Sequence, residues 1–162
     1  SLRASKEIFP SFNAENKPST LPAILTGELP NDQGVLKDYL LHDTKDNVTK
    51  TVDKDTPGAK YSELEYEVLD VMDTDEGVLS YVLVELITGR HHQIRAQFAK
   101  RKCGIWGDTK YNPKFQKTKK KYKEIGLHAS RLEFDHPTTG EHMVFKHEPE
   151  GGAFAILDLD EF

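Results

Sequence analysis

The residues best suited to chemistry stand together between positions 84 and 95, where an apolar run gives way to a polar one. The aliphatic residues before position 88 predict the end of a strand, Gly89 predicts a tight turn, and the following residues predict the start of a helix. The polar side chains at this junction are Arg90, His92, Gln93 and Arg95. Backbone N–H groups at a helix start, joined by two guanidinium groups, attract carboxylates and phosphates. The spacing therefore predicts an anion site, although arginine at such a junction also occurs as a solvated cap.

Positive charge is concentrated in and after this junction. Residues 90–123 contain 12 Lys and Arg and a single acid, Asp108, which gives the segment a net charge of +11. Because the whole chain carries −5, the other residues together carry −16. The sequence thus predicts a basic segment set into an acidic body, and the average charge hides both.

The densest part of this segment is 114–123, with six lysines and two aromatic residues. Lysines attract a phosphate backbone without reading its sequence, and aromatic rings stack on unpaired bases. The alternative interpretation is a solvated charged loop. The basic helix after position 94 favours RNA, since the two could share one face. The residues predicted to contact RNA are Arg90, Lys100, Arg101, Lys102, Lys114, Lys117, Lys119, Lys120, Lys121 and Lys123.

The elements that must position these residues predict an α+β fold, with a mixed, mostly antiparallel β-sheet and short flanking helices. Residues 1–20 are expected to form a poorly ordered lead-in, and 21–162 a single domain. Alternation of acidic and apolar residues predicts a strand over 63–68, joined by a hairpin loop at 73–77 to a more central strand over 78–87. The remaining expectations are a short strand at 24–25, helical turns over 35–41, a loop over 47–60, and strands over 126–135 and 143–147.

Several kinds of protein are disfavoured by composition. Cys103 is the only cysteine, which precludes an internal disulfide and favours a reducing, cytoplasmic location. The longest nearly apolar stretch, 81–87, is too short to cross a bilayer, so no membrane association is expected. The seven histidines lack the spacing of a metal site, and we expect no bound metal.

Several motifs in the same order resemble the RluA-type RNA pseudouridine synthases. Residues 85–95 are similar to the signature E-L-x-T-G-R-x-H-Q-I-R, and Gly107, Asp108 and Tyr111 to G-D-x-x-Y. Residues 127–141 are similar to L-H-A-x-x-L-x-F-x-H-P-x-x-G-E. The resemblance covers roughly residues 21–154. It implies isomerisation of uridine to pseudouridine in structured RNA, either ribosomal or transfer RNA, without metal or organic cofactor.

The resemblance also implies that two catalytic residues are absent. The family's nucleophile is the aspartate of H-R-L-D-x-x-T-S-G, and no aspartate of this sequence stands in that context. Leu21 stands near the place of a family tyrosine that contacts the target base. The chain thus resembles the C-terminal part of a catalytic domain and is expected to be inactive alone. Arg95 holds the place of the arginine that pairs with the nucleophile, and is expected here to face a cavity or solvent.

The other motif residues are expected to be structural. We predict that His92 and Gln93 hold the loop by hydrogen bonds, Asp108 serves a turn, and His128 lies satisfied in the core. Arg90 is expected to contact either an RNA phosphate or a carboxylate such as Glu85. One alternative is a non-catalytic RNA-binding module on the same scaffold. The other is a fragment whose exposed sheet edge pairs with a second copy, giving a homo-oligomer.

Overall fold

A computed structural model of the chain describes residues 20–117, 124–128, 131–135 and 137–146, and these contain two sheets and two short helices. The strands of the larger sheet lie in the order β1-β5-β4-β2-β3, and every neighbouring pair is antiparallel. β6 and β7 form a separate antiparallel hairpin. The α+β class with a mostly antiparallel sheet is thereby confirmed. The elements are β1 (Thr20–Thr26), β2 (Gln33–Asp43), β3 (Val48–Val52), β4 (Lys60–Thr74), β5 (Gly77–Leu86), α1 (Gln93–Lys100), α2 (Pro113–Gln116), β6 (Arg131–Asp135) and β7 (His142–Lys146).

The two faces of the large sheet carry separate apolar cores. Successive side chains of a strand point to opposite faces, and β5 sends Val82 and Val84 to one core and Tyr81 to the other. α1 closes the first core with Ile94 and Phe98, which are almost fully buried. The predicted helix therefore exists, and its apolar stripe fixes how its polar residues are aimed.

The expected helical turns over 35–41 are wrong, because these residues belong to β2. Leu36, Asp38 and Leu40 all point inward at alternate positions, which is the period of a strand. The inward position between the two leucines carries a charge, and this interrupts the apolar alternation that marks a strand in sequence.

The loop expected over 47–60 is wrong in part, because Val48–Val52 forms β3, in which Thr49 is the one buried residue. The polar composition of this strand hides it in the sequence. The strands at 24–25 and 63–68 are confirmed within β1 and β4, and the strand expected over 78–87 is confirmed as β5, which ends at Leu86. Of the strand expected over 126–135, Arg131–Asp135 forms β6, residues 126–128 are not part of it, and residues 129 and 130 lie outside the described residues. β7 is His142–Lys146. The lead-in, apart from Thr20, lies outside the described residues. The described part of the chain contains no helix long and apolar enough to cross a membrane.

Both outer strands of the large sheet are partly covered by later segments. On β1, the N–H of Ile24 donates to the carbonyl oxygen of Gly126 at 2.7 Å, and the N–H of Trp106 donates to that of Ile24 at 2.8 Å. On β3, the N–H of Thr49 donates to the hydroxyl of Tyr111 at 2.8 Å. The homo-oligomer expected through an exposed sheet edge stays a prediction, and these contacts shorten the edge that it would use.

Candidate active site

The side chain of Gln93 holds the loop between β5 and α1 through hydrogen bonds. Its Oε1 accepts from the hydroxyl of Thr88 at 2.8 Å and from the N–H of Arg90 at 2.9 Å. Its Nε2 donates to the carbonyl oxygen of Glu63 at 3.0 Å. Gln93 is 2% exposed, so these bonds satisfy polar groups that water does not reach. One amide thus ties the loop to α1 and to β4.

Replacing Gln93 with alanine is expected to lower the free energy of unfolding by about 2 kcal/mol, because it leaves buried donors and acceptors without partners. Chemical denaturation followed by circular dichroism measures this. Gln116→Ala is the matched control, since Gln116 is exposed and bonds only at the surface. Equal stability of the two variants would contradict the anchoring role.

The unusual backbone of this loop lies at His92 rather than at the glycine. His92 has φ 49° and ψ 27°, in the left-handed region, whereas Gly89 is not among the residues with positive φ. The expectation that Gly89 supplies the tight turn is therefore not met by its conformation. His92 is the residue immediately before α1, and its side chain lies beside that of Arg95.

The expectation that Arg95 faces a cavity or solvent is wrong, because Asp108 pairs with it. The Arg95 Nε donates to Oδ2 of Asp108 at 2.7 Å, and Nη2 donates to Oδ1 at 2.8 Å. The carboxylate is fully buried, while the arginine side chain is 19% exposed. Such a two-point pair fixes the plane of the guanidinium as well as its position.

Asp108 also serves the turn that the sequence predicts. Its Oδ1 accepts from the N–H groups of Lys110 and Tyr111 at 3.0 and 3.1 Å. Burial alone would raise the pKa of Asp108, but the hydrogen bonds and charge of Arg95, helped by these N–H groups, hold that pKa below its usual value. In return the hydrogen bonds of Asp108 raise the pKa of Arg95, against the opposing effect of burial. Both groups are therefore charged at neutral pH.

His92 links the arginine to Tyr111. Its Nε2 lies 3.2 Å from Nη1 of Arg95, and its Nδ1 lies 2.8 Å from the Tyr111 hydroxyl. Desolvation, followed by the charges of Arg95, His91 and Lys110, lowers the pKa of His92 to about 4, so the ring is neutral at pH 7. A guanidinium only donates, so Nε2 accepts and the proton sits on Nδ1, which donates to Tyr111. The predicted hydrogen-bonding role of His92 matches these contacts.

A stack of rings extends from His92 to the β2–β3 hairpin. His91 lies between His92, at a centroid distance of 3.7 Å, and His42, at 3.9 Å. Thr49 holds His91 through the backbone carbonyl at 2.9 Å and lies 3.0 Å from its Nδ1. Arg95 also has its Cζ 4.8 Å from the ring centroid of Tyr111. The hairpin, the loop and the arginine thus form one connected surface.

Two of the basic residues expected to contact RNA are held by a buried carboxylate. Lys100 Nζ and Arg101 Nη1 each lie 2.7 Å from Asp38, whose side chain is 1% exposed. Gln97 Nε2 donates to the same carboxylate at 2.8 Å. Burial alone would raise the pKa of Asp38, but the hydrogen bonds of Arg101, Lys100 and Gln97 hold it below its usual value. This cluster docks α1 on β2, so the two cations are not a free basic face.

The remaining predicted residues are dispersed. Lys114 donates its ammonium to the carbonyl oxygen of Glu76, whereas Lys102 and Lys117 are exposed. His128 is half-buried and donates its N–H to the carbonyl oxygen of Pro22 at 3.0 Å. Lys119, Lys120, Lys121 and Lys123 lie outside the described residues. RNA contact by the lysines stays a prediction.

Sequence reasoning missed the partner of Arg95 and the rings around it. Asp108 is the single acid of a segment that otherwise holds only basic charges, which is the signal that could have found the pair. Tyr111 stands in the G-D-x-x-Y motif, so its place near Asp108 was visible but its contact with His92 was not. In the part of the chain that the structure describes, no cluster of three or more His, Cys, Asp or Glu is arranged to hold a metal.

The chain belongs to the RNA pseudouridylate synthase family, which matches residues 15–100. This confirms the resemblance that the motifs indicate. The chain is 35% identical over 140 residues to the uncharacterized RNA pseudouridine synthase YlyB of Bacillus subtilis, covering 85% of this chain and 42% of that protein. It is 29% identical over 147 residues to the dual-specificity RNA pseudouridine synthase RluA of Yersinia pestis, covering 91% and 68% of the two chains.

A solved structure confirms the fold. Human RNA pseudouridylate synthase domain containing 1 superposes with a TM-score of 0.67 at 19% identity, covering 87% of this chain and 58% of that one. The chain thus spans less than half the length of the Bacillus relative and little more than half of the human chain.

Proposed function

We propose that this chain forms the arginine-bearing part of an RNA pseudouridine synthase site, which isomerises uridine in structured RNA, either ribosomal or transfer RNA. The nucleophilic aspartate comes from a segment with the H-R-L-D motif, which this sequence does not contain. This chain is therefore inactive alone. The proposal includes a cytoplasmic location, with which the buried free thiol of Cys103 is consistent.

The observation that carries the proposal is the orientation of Arg95. Of the five N–H groups of its guanidinium, two point at Asp108 and one at His92, which leaves one N–H on each terminal nitrogen. A carboxylate entering on the exposed side would meet these two donors. An opposite charge within about 4–6 Å lowers a carboxylate pKa by roughly 1–3 units, which keeps a nucleophilic aspartate ionised. Asp108 and His92 thus hold the guanidinium of Arg95 in a fixed orientation before a nucleophilic carboxylate arrives.

A second candidate function is a non-catalytic RNA-binding module, and Leu21 favours it. Leu21 pairs with Val84 inside β1 and packs against the first core. It lies within the described fold, near the place where the family resemblance expects a base-contacting tyrosine. An apolar residue there removes a hydroxyl, while the scaffold around it remains intact.

The test is to supply the missing carboxylate. A segment carrying the family's H-R-L-D motif is fused ahead of residue 1, and the fusion is incubated with RNA transcribed in vitro. Pseudouridine is then labelled chemically, because it has the same mass as uridine, and is measured by mass spectrometry. We expect the fusion to form pseudouridine, and Arg95→Gln to slow it about a hundredfold or more. Lys37→Gln, an exposed substitution on β2, is expected to leave the rate unchanged.

Three results separate the candidates. Pseudouridine formation by the unfused chain would contradict the claim that this chain lacks the nucleophile. A fusion that binds RNA but forms no pseudouridine would favour the binding module. A fusion whose rate does not depend on Arg95 would remove the role assigned to that side chain.

A further inference from the structure

A cleft of about 360 Å³ opens between the β2–β3 hairpin and the loop that precedes α1. Its volume falls within the range of about 300–1,000 Å³ that is typical of ligand sites. The lining residues on which the inference depends are His42, Gly58, Lys60, Gly89, Arg90 and His91. None of the described residues that line the cleft carries a carboxylate, so its charge is positive.

The two cations of the cleft retain free donors. Arg90 uses only its Nε on the side chain, which donates to the carbonyl oxygen of Tyr61 at 3.1 Å. This bond anchors the guanidinium and leaves its two terminal nitrogens without a partner among the described residues. Lys60 is exposed, and its ammonium makes no ion pair within the same part of the chain. Unlike Lys100 and Arg101, neither cation forms an ion pair with a carboxylate among the residues that the structure describes.

The aromatic wall of the cleft is formed by His42 and His91. His42 stacks on His91 with an interplanar angle of 25°, and the other face of the His42 ring makes no ring contact in the described structure. His42 is exposed, and its Nε2 lies 3.2 Å from the side-chain oxygen of Asn47, which steadies the ring. An exposed flat ring that is held in place is a platform for a base.

Gly89 points to a ligand because neither its backbone conformation nor a neighbouring atom of the described residues requires a glycine there. Its φ is not positive, and a Cβ built on it would have no atom within 4 Å. Gly58, on the same cleft, differs, since it has φ +84° and a Cβ there would lie 3.2 Å from a methyl of Leu41. A glycine that is required by neither conformation nor packing is consistent with close approach of a bound group to the backbone.

We propose that this cleft is a subsite for one nucleotide of single-stranded RNA, with the phosphate on Arg90 and Lys60 and the base stacked on His42. The inference rests on the proposed function in so far as RNA is the ligand. His91 contacts His92, and His92 contacts Arg95, so this nucleotide lies close in sequence to the uridine received beside Arg95. Double-stranded RNA is excluded from the subsite because its bases are not free to stack on a protein ring.

The experiment measures binding of the full chain to a fluorescent single-stranded oligouridylate by anisotropy over a range of salt concentrations. His42→Ala is expected to weaken binding roughly tenfold, and His42→Phe to restore it, because loss of one stacked base commonly lowers affinity by about that factor. Arg90→Ala is expected to reduce the slope of log K against log salt by about 0.7, the value for one lost phosphate contact on a single strand. Gly89→Leu is expected to weaken binding at least tenfold while the melting temperature stays unchanged.

The control is Lys37→Ala, which removes an exposed lysine of β2 that does not line the cleft. Wild-type affinity in His42→Ala and Gly89→Leu, with the oligouridylate still bound, would overturn the subsite and leave the proposed function standing. Absence of binding by the wild type at low salt would overturn RNA as the ligand and count against both. Equal displacement of the oligouridylate by poly-aspartate would show attraction of charge alone, and would overturn the nucleotide assignment.

Discussion

Asp108→Ala is expected to lower the free energy of unfolding by about 3–5 kcal/mol, because it removes one member of a buried ion pair and leaves the other uncompensated. Arg95 is only 19% exposed, so water does not replace the lost carboxylate. The N–H groups of Lys110 and Tyr111 lose their acceptor in the same substitution. For a chain of this length the melting temperature should fall by roughly 10 °C.

Chemical and thermal denaturation measure the effect, and Asp55→Ala is the matched control. Asp55 is an exposed aspartate in another turn, so its loss should change stability by less than about 0.5 kcal/mol. The pH dependence adds a second test. Since Arg95 holds the pKa of Asp108 below its unfolded value of about 3.9, the stabilisation is complete above that pH and is lost as the pH falls through the folded value. The difference between wild type and Asp108→Ala should therefore shrink in acid, and a difference that persisted there would argue against a charged pair.

Asp38→Ala is expected to cost about 3 kcal/mol and to loosen α1. Three donors converge on this carboxylate. The Gln97 among them is fully buried, and its Nε2 would keep only the longer bond to the carbonyl oxygen of Leu36 at 3.2 Å. Lys100 and Arg101 are partly exposed, and water compensates them better than it would Arg95. Since α1 carries Arg95, undocking the helix should also weaken the site.

Hydrogen exchange of the α1 amides and denaturation together test the Asp38 cluster. Lys50→Ala is the control, because it breaks the Lys50–Asp43 ion pair on the same hairpin, where the atoms are 3.9 Å apart and both side chains are exposed. Such a surface pair contributes at most about 1 kcal/mol. If Asp38→Ala lowered the free energy of unfolding no more than Lys50→Ala, and the α1 amides stayed protected from exchange, the cluster would not be what docks the helix.

The sequence predicted the central elements of the fold well because their side chains obey one simple period. In β4 the acids alternate with Leu64, Tyr66 and Val68. This pattern predicts a strand with one solvent-exposed face without any knowledge of tertiary contacts. α1 is visible for the same reason, through Ile94 and Phe98. Local pattern suffices where each element buries only apolar residues.

The failures occur where burial depends on a distant partner. Asp38 occupies an inward position of β2, and the cations that make this tolerable lie about 60 residues later, so no local pattern marks the strand. The same holds for Arg95, since sequence and family resemblance pointed to an absent aspartate while Asp108 lay 13 positions away. Ion pairs connect positions that hydrophobic periodicity does not relate. The residues around the cleft were missed because His42 and Lys60 become neighbours only when β2 and β4 pair.

The position of β1 has a consequence for how the polypeptide is assembled during synthesis. Both neighbours of this first strand lie far downstream: Ala23 pairs with Val82 on one side and with Leu127 on the other. A ribosome that has released β1 must translate some hundred further residues before its second flank exists. Folding rates fall as contacts become more distant along the chain, so β1 should become fixed later than β2 and β3, whose partners lie nearer in sequence. Until position 127 has been translated, the backbone groups on that flank of β1 are open to other nascent chains, and aggregation is a risk during this interval.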